Sequence, residues 1–269
     1  MAPNPHYVHT DLFVYLSAFP HVSDGCITSK ELVEVAFTRM LSDLTEISGG
    51  ILVVPTYNYG FTKTGLFDAR TDVSEVGNFS EEFRKKFLKT RTYIPVFSNC
   101  SNKEGVLEKK CMDLIDPFGV GSDFEKLVKS RGFLTTFGSV FSPTFIHYIE
   151  RQIEGGPLYR YDKVFPGTVI DMVGRKHTVK LLYHVRPLNS VVKYDVGKIE
   201  NELAHEGILK YHKLNGSFKY SICDLYDFLS YAIRKIEKDP LYFLTAESKN
   251  YFSCTNELFN GRVNLKDYE

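Results

Sequence analysis

A strand–helix–strand pattern near the start of the chain constrains the fold most. Residues 7–15 mix β-branched and aromatic side chains, which is typical of a strand and the turn that follows it. Residues 28–31 then open an amphipathic helix with apolar side chains at helical spacing, and Gly49 and Gly50 end it. The short apolar run at 51–55 is typical of a buried strand in a mostly parallel sheet. This succession predicts a βαβ unit.

The rest of the chain alternates strands and helices and becomes richer in strands after residue 150. Further strands are predicted at 93–98, 132–138, 159–161, 168–173, 177–184 and 218–222, with a hairpin turn at 173–176. Further helices are predicted at 81–88, 124–130, 195–205 and 224–236. We therefore expect an α/β fold with a mixed central sheet, flanking helices and a more β-rich C-terminal half. Residues 1–245 are predicted to form one domain, and 246–269 a C-terminal tail.

Composition excludes several classes of protein. The 269 residues include 33 Lys plus Arg and 33 Asp plus Glu, so no net field attracts nucleic acid or an anionic membrane. No apolar run approaches the ~20 residues that cross a bilayer, and Asp11 interrupts the one candidate for a leader segment. The five cysteines are scattered and odd in number, which indicates free thiols and no metal site. We expect a cytoplasmic protein.

A histidine and a glutamate one helical turn apart form the main candidate for catalysis. Pro143 is well placed at a first helical position with Ser142 as the cap, so His147 and Glu150 share a helix face. A carboxylate beside an imidazole orients the ring and favours its protonated form, which makes the pair a ready general base. The alternative is a partly buried histidine that is satisfied by its neighbour.

Polar side chains at the ends of two predicted strands are candidate ligand contacts. Thr10 and Asp11 end the first strand, at the edge of the sheet where α/β folds bind ligands. Their alternative is a turn with an Asp cap. The aromatic and Gly-containing loop at 56–68 follows a buried strand, and such a loop is expected to line a pocket. The candidate substrate contacts in this loop are Thr56, Tyr57, Tyr59 and Asp68. The alternative is a packed surface loop.

A glycine-containing loop precedes the predicted helix at 124–130. It contains Phe118, Gly119 and Ser122, and glycines that lead into a helix leave backbone N–H groups where a phosphate can bind. The spacing is neither that of a Walker loop nor that of the dinucleotide fingerprint.

Several of these segments resemble one family in the same order. The matching pieces are residues 9–12, 51–56, Phe67–Asp68, Val76–Gly77, Phe83–Arg84, 118–122, 144–150 and 159–161. Over about residues 5 to 240, the chain resembles the antibiotic N-acetyltransferase family, whose best-known members are the aminoglycoside 3-N-acetyltransferases. The resemblance implies an α/β fold that binds acetyl-coenzyme A and acylates a primary amine of a sugar, with another acyl-coenzyme A as an alternative donor.

The resemblance also implies roles for particular residues. His147 matches the family's catalytic base and Glu150 its carboxylate partner. The Thr10–Asp11 strand end, the 118–122 loop and the retained Ser98 match segments that hold coenzyme A. The thioester carbonyl needs an oxyanion stabiliser, and a backbone N–H or the Thr144 hydroxyl is a candidate.

The chain departs from the family at two places. Ile94 precedes Pro95 where the family often has histidine, and Tyr183 and His184 stand where the aminoglycoside enzymes have acidic residues. Polycationic acceptors require clustered carboxylates, so we expect His184 to contact a nucleotide-linked amino sugar used in surface polysaccharide synthesis. A base of that acceptor would stack on the aromatic loop.

Three alternatives remain open at this point. The acceptor is an aminoglycoside, the chain is a non-catalytic relative that binds a nucleotide or sugar, or it is a hydrolase with Ser98 or Cys100 as nucleophile. The hydrolase is the weakest, because neither residue lies in a nucleophile-elbow pattern. A homodimer is also left open.

Overall fold

The first sheet grows from the strand–helix–strand unit at the N-terminus. The computed structural model describes residues 3–26, 28–109, 111–141, 143–186, 192–216 and 218–254. Strand β1 (His6–Thr10) pairs in parallel with β2 (Leu52–Pro55), and helices α1 (Leu12–Ala18) and α2 (Ser29–Ile47) connect them. Residues 12–15, predicted as the end of a strand and its turn, are helical instead, because Asp11 accepts hydrogen bonds from two N–H groups of the first turn.

The first sheet has six strands in the order β4-β2-β1-β6-β10-β9. Its remaining strands are β4 (Asn99–Ser101), β6 (Phe133–Phe137), β9 (Leu209–Leu214) and β10 (Phe218–Asp224). Strand β6 is parallel to β1, whereas β4, β9 and β10 run antiparallel to their neighbours. The mixed central sheet is therefore confirmed. The strand predicted at 93–98 was wrong, since the chain there bends and only Asn99–Ser101 joins the sheet.

A second sheet contains the β-rich part of the C-terminal half. Its order is β3-β7-β8-β5, with β3 (Leu66–Asp68), β5 (Leu114–Ile115), β7 (Tyr161–Ile170) and β8 (Lys176–Val185). Strands β7 and β8 form one long antiparallel hairpin, in which the predicted breaks between 161 and 168 do not exist. Its turn is closed by Asp171, whose carboxylate accepts from two backbone N–H groups.

Most of the remaining helices follow the sequence pattern with shifted ends. The full set is α3 (Phe61–Thr64), α4 (Asn78–Lys86), α5 (Asp123–Lys129), α6 (Phe145–Arg151), α7 (Val196–His205), α8 (Leu225–Ile236) and α9 (Ala246–Cys254). Two of them depart from the pattern, since α3 lies in the predicted loop and α9 in the predicted tail. Helix α9 occupies the start of the predicted tail, where Phe252 is buried against Tyr159 and Val192. Residues 255–269 of that tail lie outside the described residues.

The first sheet is buried on both faces. Val8, Val54 and Phe137 pack on one side against α1, α2 and α4. Tyr7 and Leu134 pack on the other side against α5, α6, α8 and the second sheet. This two-sided burial explains why 51–54 reads as a continuous apolar run. Within the described part of the chain, no helix has the length and apolar character needed to cross a bilayer.

A crossing between β7 and the loop before β3 gives a stability test. A Cβ at Gly167 would meet the carbonyl oxygen of Gly65 and lie 2.5 Å from the Cζ atom of Phe61. We expect Gly167→Ala to lower the free energy of unfolding by about 1–3 kcal/mol, because neither backbone nor ring can yield cheaply. Gly197→Ala is the matched control, since nothing lies within 4 Å of its added carbon. Urea unfolding measures both, and equal stability of the two variants would contradict the prediction.

Candidate active site

Helix α6 brings the predicted catalytic pair together. His147 Nδ1 lies 3.0 Å from Glu150 Oε2, one turn apart on the same face. Phe145 and Ile149 face the core as expected. The helix begins at Phe145, after Thr144, so Pro143 is not its first residue as predicted. The proposed cap, Ser142, lies outside the described residues.

Glu150 is fully buried and is the centre of a hydrogen-bonded cluster. Its Oε1 accepts hydrogen bonds from the hydroxyls of Tyr194, at 2.6 Å, and Tyr159, at 2.9 Å. Its Oε2 faces His147 and lies 3.2 Å from Nε of Arg160. Burial alone would raise the pKa of Glu150, but Arg160 and His147 hold it at about 2. The group is therefore a carboxylate at neutral pH.

His147 is a neutral imidazole with one nitrogen free to act as a base. Burial, and then the charge of Arg160, lower its pKa to about 4 against the opposing effect of Glu150. The carboxylate favours the protonated ring, as expected, but burial and Arg160 oppose it more strongly. Since a carboxylate only accepts, Nδ1 carries the proton and Nε2 keeps its lone pair. The side chain is 20% exposed, so the ring is accessible to a ligand.

A second histidine lies behind the first. His184 is 3% exposed, and its Nδ1 lies 3.1 Å from Asp162 Oδ1, whose carboxylate also pairs with Arg151. Its Nε2 is 3.7 Å from Glu150 Oε2 and has no hydrogen-bond partner among the described residues. His184 therefore adds a second imidazole edge to the Glu150 cluster.

The two histidines line a cavity of about 460 Å³, here called the histidine cavity. Its wall is aromatic and cationic. The aromatic residues are Tyr57, Tyr59, Phe97, Tyr161, Phe165 and Tyr183, and the cationic ones are Arg160, Lys163 and Arg186. No Asp or Glu lines it among the described residues. The aromatic loop predicted to line a pocket thus does so through Tyr57 and Tyr59.

A second cavity of about 260 Å³ opens at the carboxyl ends of β1 and β2, and we call it the strand-end cavity. It is lined by His9, Thr10, Pro55, Val76, Ser80, Ser139 and Val140, together with three residues of the histidine cavity. The shared residues are Tyr57, Tyr59 and Thr144. The two cavities therefore meet beside the helix that carries His147. Thr10 and Thr144, predicted to contact the cofactor, both lie in this second cavity.

Other predicted contacts lie away from both cavities. Asp11 caps helix α1. Ser98 and Thr56 are fully buried and bonded to each other, and Ser98 also bonds to Arg91. Asp68 is held by Arg70 at 2.8 Å. These groups occupy structural positions, and their predicted ligand roles stay predictions.

Most backbone donors of the 118–122 loop are occupied. Asp116 Oδ1 accepts from Phe118 N–H, Glu125 accepts from Gly121 N–H, and Ser122 caps helix α5. Gly119 N–H bonds to the Asp116 carbonyl. Phe118 packs edge-on against the His147 ring, with centroids 5.3 Å apart. The loop thus packs against the His147 ring, and its predicted role in phosphate binding stays a prediction.

Among the described residues, we find neither a reactive buried thiol nor a group of side chains that could hold a metal ion. Burial raises the pKa of the Cys100 thiol to about 11, which makes it a poor nucleophile. The cysteines at 26, 100, 111 and 223 are free. Among the described residues, no group of three His, Cys, Asp or Glu side chains is placed to hold a metal ion.

Sequence reasoning missed most of the residues around Glu150. Tyr159 and Arg160 belong to a segment that was used for a predicted strand and for the resemblance, and an arginine between two tyrosines was the available signal. Tyr194 is 44 residues from Glu150 in the chain and has no local pattern that marks it. Lys163 and Arg186 likewise look like ordinary surface residues of a strand.

The two sheets and their helices have the fold of the aminoglycoside acetyltransferases. The aminoglycoside acetyltransferase AAC(3)-Xa superposes with a TM-score of 0.62 at 19% identity, over 87% of each chain. AAC-VIa bound to sisomicin gives 0.61 at 14% identity, over 88% of this chain and 91% of its own. AAC-IIIb in a binary structure with CoASH gives 0.62 at 16% identity, over 90% and 92%. No family model and no curated protein matches the chain.

At these identities the comparison establishes the fold, and it confirms the fold that the sequence resemblance implied. The expectation of a nucleotide-linked acceptor was wrong, because the matching solved structures include the aminoglycoside acetyltransferase AAC(3)-Xa and AAC-VIa bound to sisomicin. That expectation was drawn from Tyr183 and His184, which stand where the aminoglycoside enzymes have acidic residues, and two such positions do not identify the acceptor.

The protonation of His147 can be tested directly. We expect the Cε1–H resonance that His147→Ala removes from the NMR spectrum to keep its neutral-form position from pH 8 down to pH 5. The ring takes up a proton only as the pH falls towards about 4, because burial and Arg160 disfavour the cation. Circular dichroism at each pH confirms that the chain remains folded. A titration centred near the ordinary histidine value would contradict the prediction.

Proposed function

We propose that the chain is an acetyl-coenzyme A-dependent N-acetyltransferase that acetylates a primary amine of an aminoglycoside. The observation that carries this proposal is the neutral His147, which lines a cavity that shares Tyr57 and Thr144 with a second cavity. A reaction between two bound molecules requires two adjoining sites and a base between them.

The strand-end cavity suits the acyl donor. It lies at the carboxyl ends of parallel strands, where α/β folds bind nucleotide-containing ligands, and polar groups such as Thr10, Ser80 and Ser139 line it. AAC-IIIb, which shares the fold, has a structure with CoASH. The acetyl thioester would then lie at the junction, with the acceptor in the histidine cavity. Such a reaction suits the cytoplasm, where free cysteines stay reduced.

The chain's own groups account for the proton transfer. An attacking amine must lose a proton to form a neutral amide, and His147 Nε2 accepts it. The imidazolium that forms is stabilised by Glu150, which is already a carboxylate and needs no reorganisation. Tyr194 and Tyr159 hold the other oxygen of Glu150 and prevent the carboxylate from turning away from the ring. The same proton can then pass to the departing thiolate.

Transfer of the acetyl group gives the first test of this proposal. Purified protein is assayed for thiol release from acetyl-coenzyme A with kanamycin, sisomicin and apramycin as acceptors. We expect turnover with at least one acceptor, and a loss of at least about 100-fold in His147→Ala, because a positioned general base contributes that much. His205→Ala is the matched control, since its side chain is 88% exposed on α7. An unaffected His147→Ala variant, or no turnover by the wild type, would contradict the proposal.

The cationic wall of the histidine cavity gives a second test. Lys163 faces the cavity, and its charge repels a polycationic acceptor. We expect Lys163→Glu to lower the KM for the accepted aminoglycoside by about tenfold at low salt, with a smaller change at high salt because ions screen the charge. Lys30→Glu, at an 87% exposed position on α2, is the control. A KM that rises in Lys163→Glu would show that the acceptor does not meet this wall as a cation.

A further inference from the structure

Tyr57 occupies the point where the two cavities meet. It follows strand β2, is 4% exposed, and lines both the histidine cavity and the strand-end cavity. Its ring packs edge-on against Phe97, with centroids 5.2 Å apart, so its position is fixed by packing. A hydroxyl at this position would lie beside the thioester carbonyl and the attacking amine, whichever of the two cavities holds the acyl donor.

Tyr7 determines how the Tyr57 hydroxyl is oriented. The two hydroxyl oxygens lie 2.5 Å apart, and Tyr7, in strand β1, is completely buried. Among the described residues, the Tyr7 hydroxyl has one hydrogen-bond partner, which is the Tyr57 hydroxyl. A buried hydroxyl with one partner satisfies its donor by giving its proton to that partner. Tyr57 therefore accepts from Tyr7 and keeps its own proton for another acceptor.

The Tyr57 hydroxyl lies at the junction together with Thr144. Both residues line the two cavities, and Thr144 lies three residues before His147. Burial raises the pKa of Tyr57, so the hydroxyl stays protonated throughout the working range. A phenol is also a more acidic donor than the aliphatic hydroxyl of Thr144, which makes it the stronger partner for an anionic oxygen.

We propose that the Tyr57 hydroxyl donates a hydrogen bond to the thioester carbonyl oxygen of the acyl donor and stabilises the oxyanion that forms there. This inference rests on the proposed acetyl transfer. As the amine nitrogen bonds to the carbonyl carbon, the π electrons move to the oxygen and the amine proton passes to His147. Collapse then breaks the C–S bond, the thiolate leaves with the electron pair and takes that proton, and Tyr57 keeps its own.

Infrared spectroscopy of the bound donor tests this contact without any acceptor. Acetyl-coenzyme A labelled with ¹³C at the carbonyl is bound to the wild type and to Tyr57→Phe. A strong donor lowers the carbonyl stretching frequency, so we expect a lowered band in the wild type and a return towards the free-solution frequency in Tyr57→Phe. Tyr59→Phe is the matched control, because Tyr59 lines both cavities but is 43% exposed, and its band should stay lowered.

Two further variants complete the experiment. Tyr7→Phe leaves the Tyr57 hydroxyl in place but removes its donor, so the band should move only part of the way. Thr144→Val should leave the band unchanged. A band that moves in Thr144→Val but not in Tyr57→Phe would assign the oxyanion to Thr144 and overturn the inference, as would an unlowered band in the wild type.

Kinetics separates failure of the inference from failure of the proposed function. We expect Tyr57→Phe to lose about 100-fold in kcat with an unchanged KM for acetyl-coenzyme A, since loss of one oxyanion donor has this size. Normal turnover in Tyr57→Phe would overturn the Tyr57 role and leave the acetyltransferase intact. Wild-type protein that binds no acetyl-coenzyme A in calorimetry would overturn both.

Discussion

A buried negative charge on Glu150 is the constraint on which the site depends. The carboxylate is fully buried, and it is satisfied by the hydroxyls of Tyr159 and Tyr194, by Arg160 and by His147. Removing one partner of a buried ion pair typically costs about 3–5 kcal/mol, because the remaining charge is left unpaired. Helix α6, the start of β7 and the segment before α7 must therefore come together for Glu150 to be tolerated. The same contacts orient His147, so the stability of this region and its proposed chemistry rest on one group.

Local patterns in the sequence were sufficient for the parts of the molecule that are built locally. The βαβ unit, the shared face of His147 and Glu150, and the pocket-lining loop at Tyr57 and Tyr59 all follow from spacing over a few residues. The ends of elements were less well predicted, as at α6 and α9, because caps and tertiary packing fix them. Asp11 shows how one signal fits two roles, since a carboxylate after a strand suits a ligand and a helix cap equally.

The features that the sequence could not predict depend on residues far apart in the chain and on burial. Tyr194 lies 44 residues from Glu150 in the chain, so no short window of residues contains the whole cluster. The sign of the pKa shift at His147 also needed the structure, because the nearby carboxylate favours the charged ring while burial and Arg160 oppose it more strongly. The sequence also did not predict the cationic wall of the histidine cavity. Which side chains of β7 and β8 face the cavity depends on how the two strands pair, and that pairing is known only from the structure.

The hairpin of β7 and β8 lines the histidine cavity but not the strand-end cavity, so the two cavities can change independently during evolution. Tyr161, Lys163 and Phe165 on β7 alternate along one face, opposite Tyr183 and Val185 on β8, and all five line the histidine cavity. None of them belongs to the six-stranded sheet whose strand ends line the other cavity. If the histidine cavity holds the acceptor, as proposed, substitutions along this face would change the choice of acceptor while the proposed donor cavity and His147 remain as they are. Such changes should accumulate in cross-strand pairs such as Lys163 with Tyr183, where two neighbouring changes exchange charge and shape together.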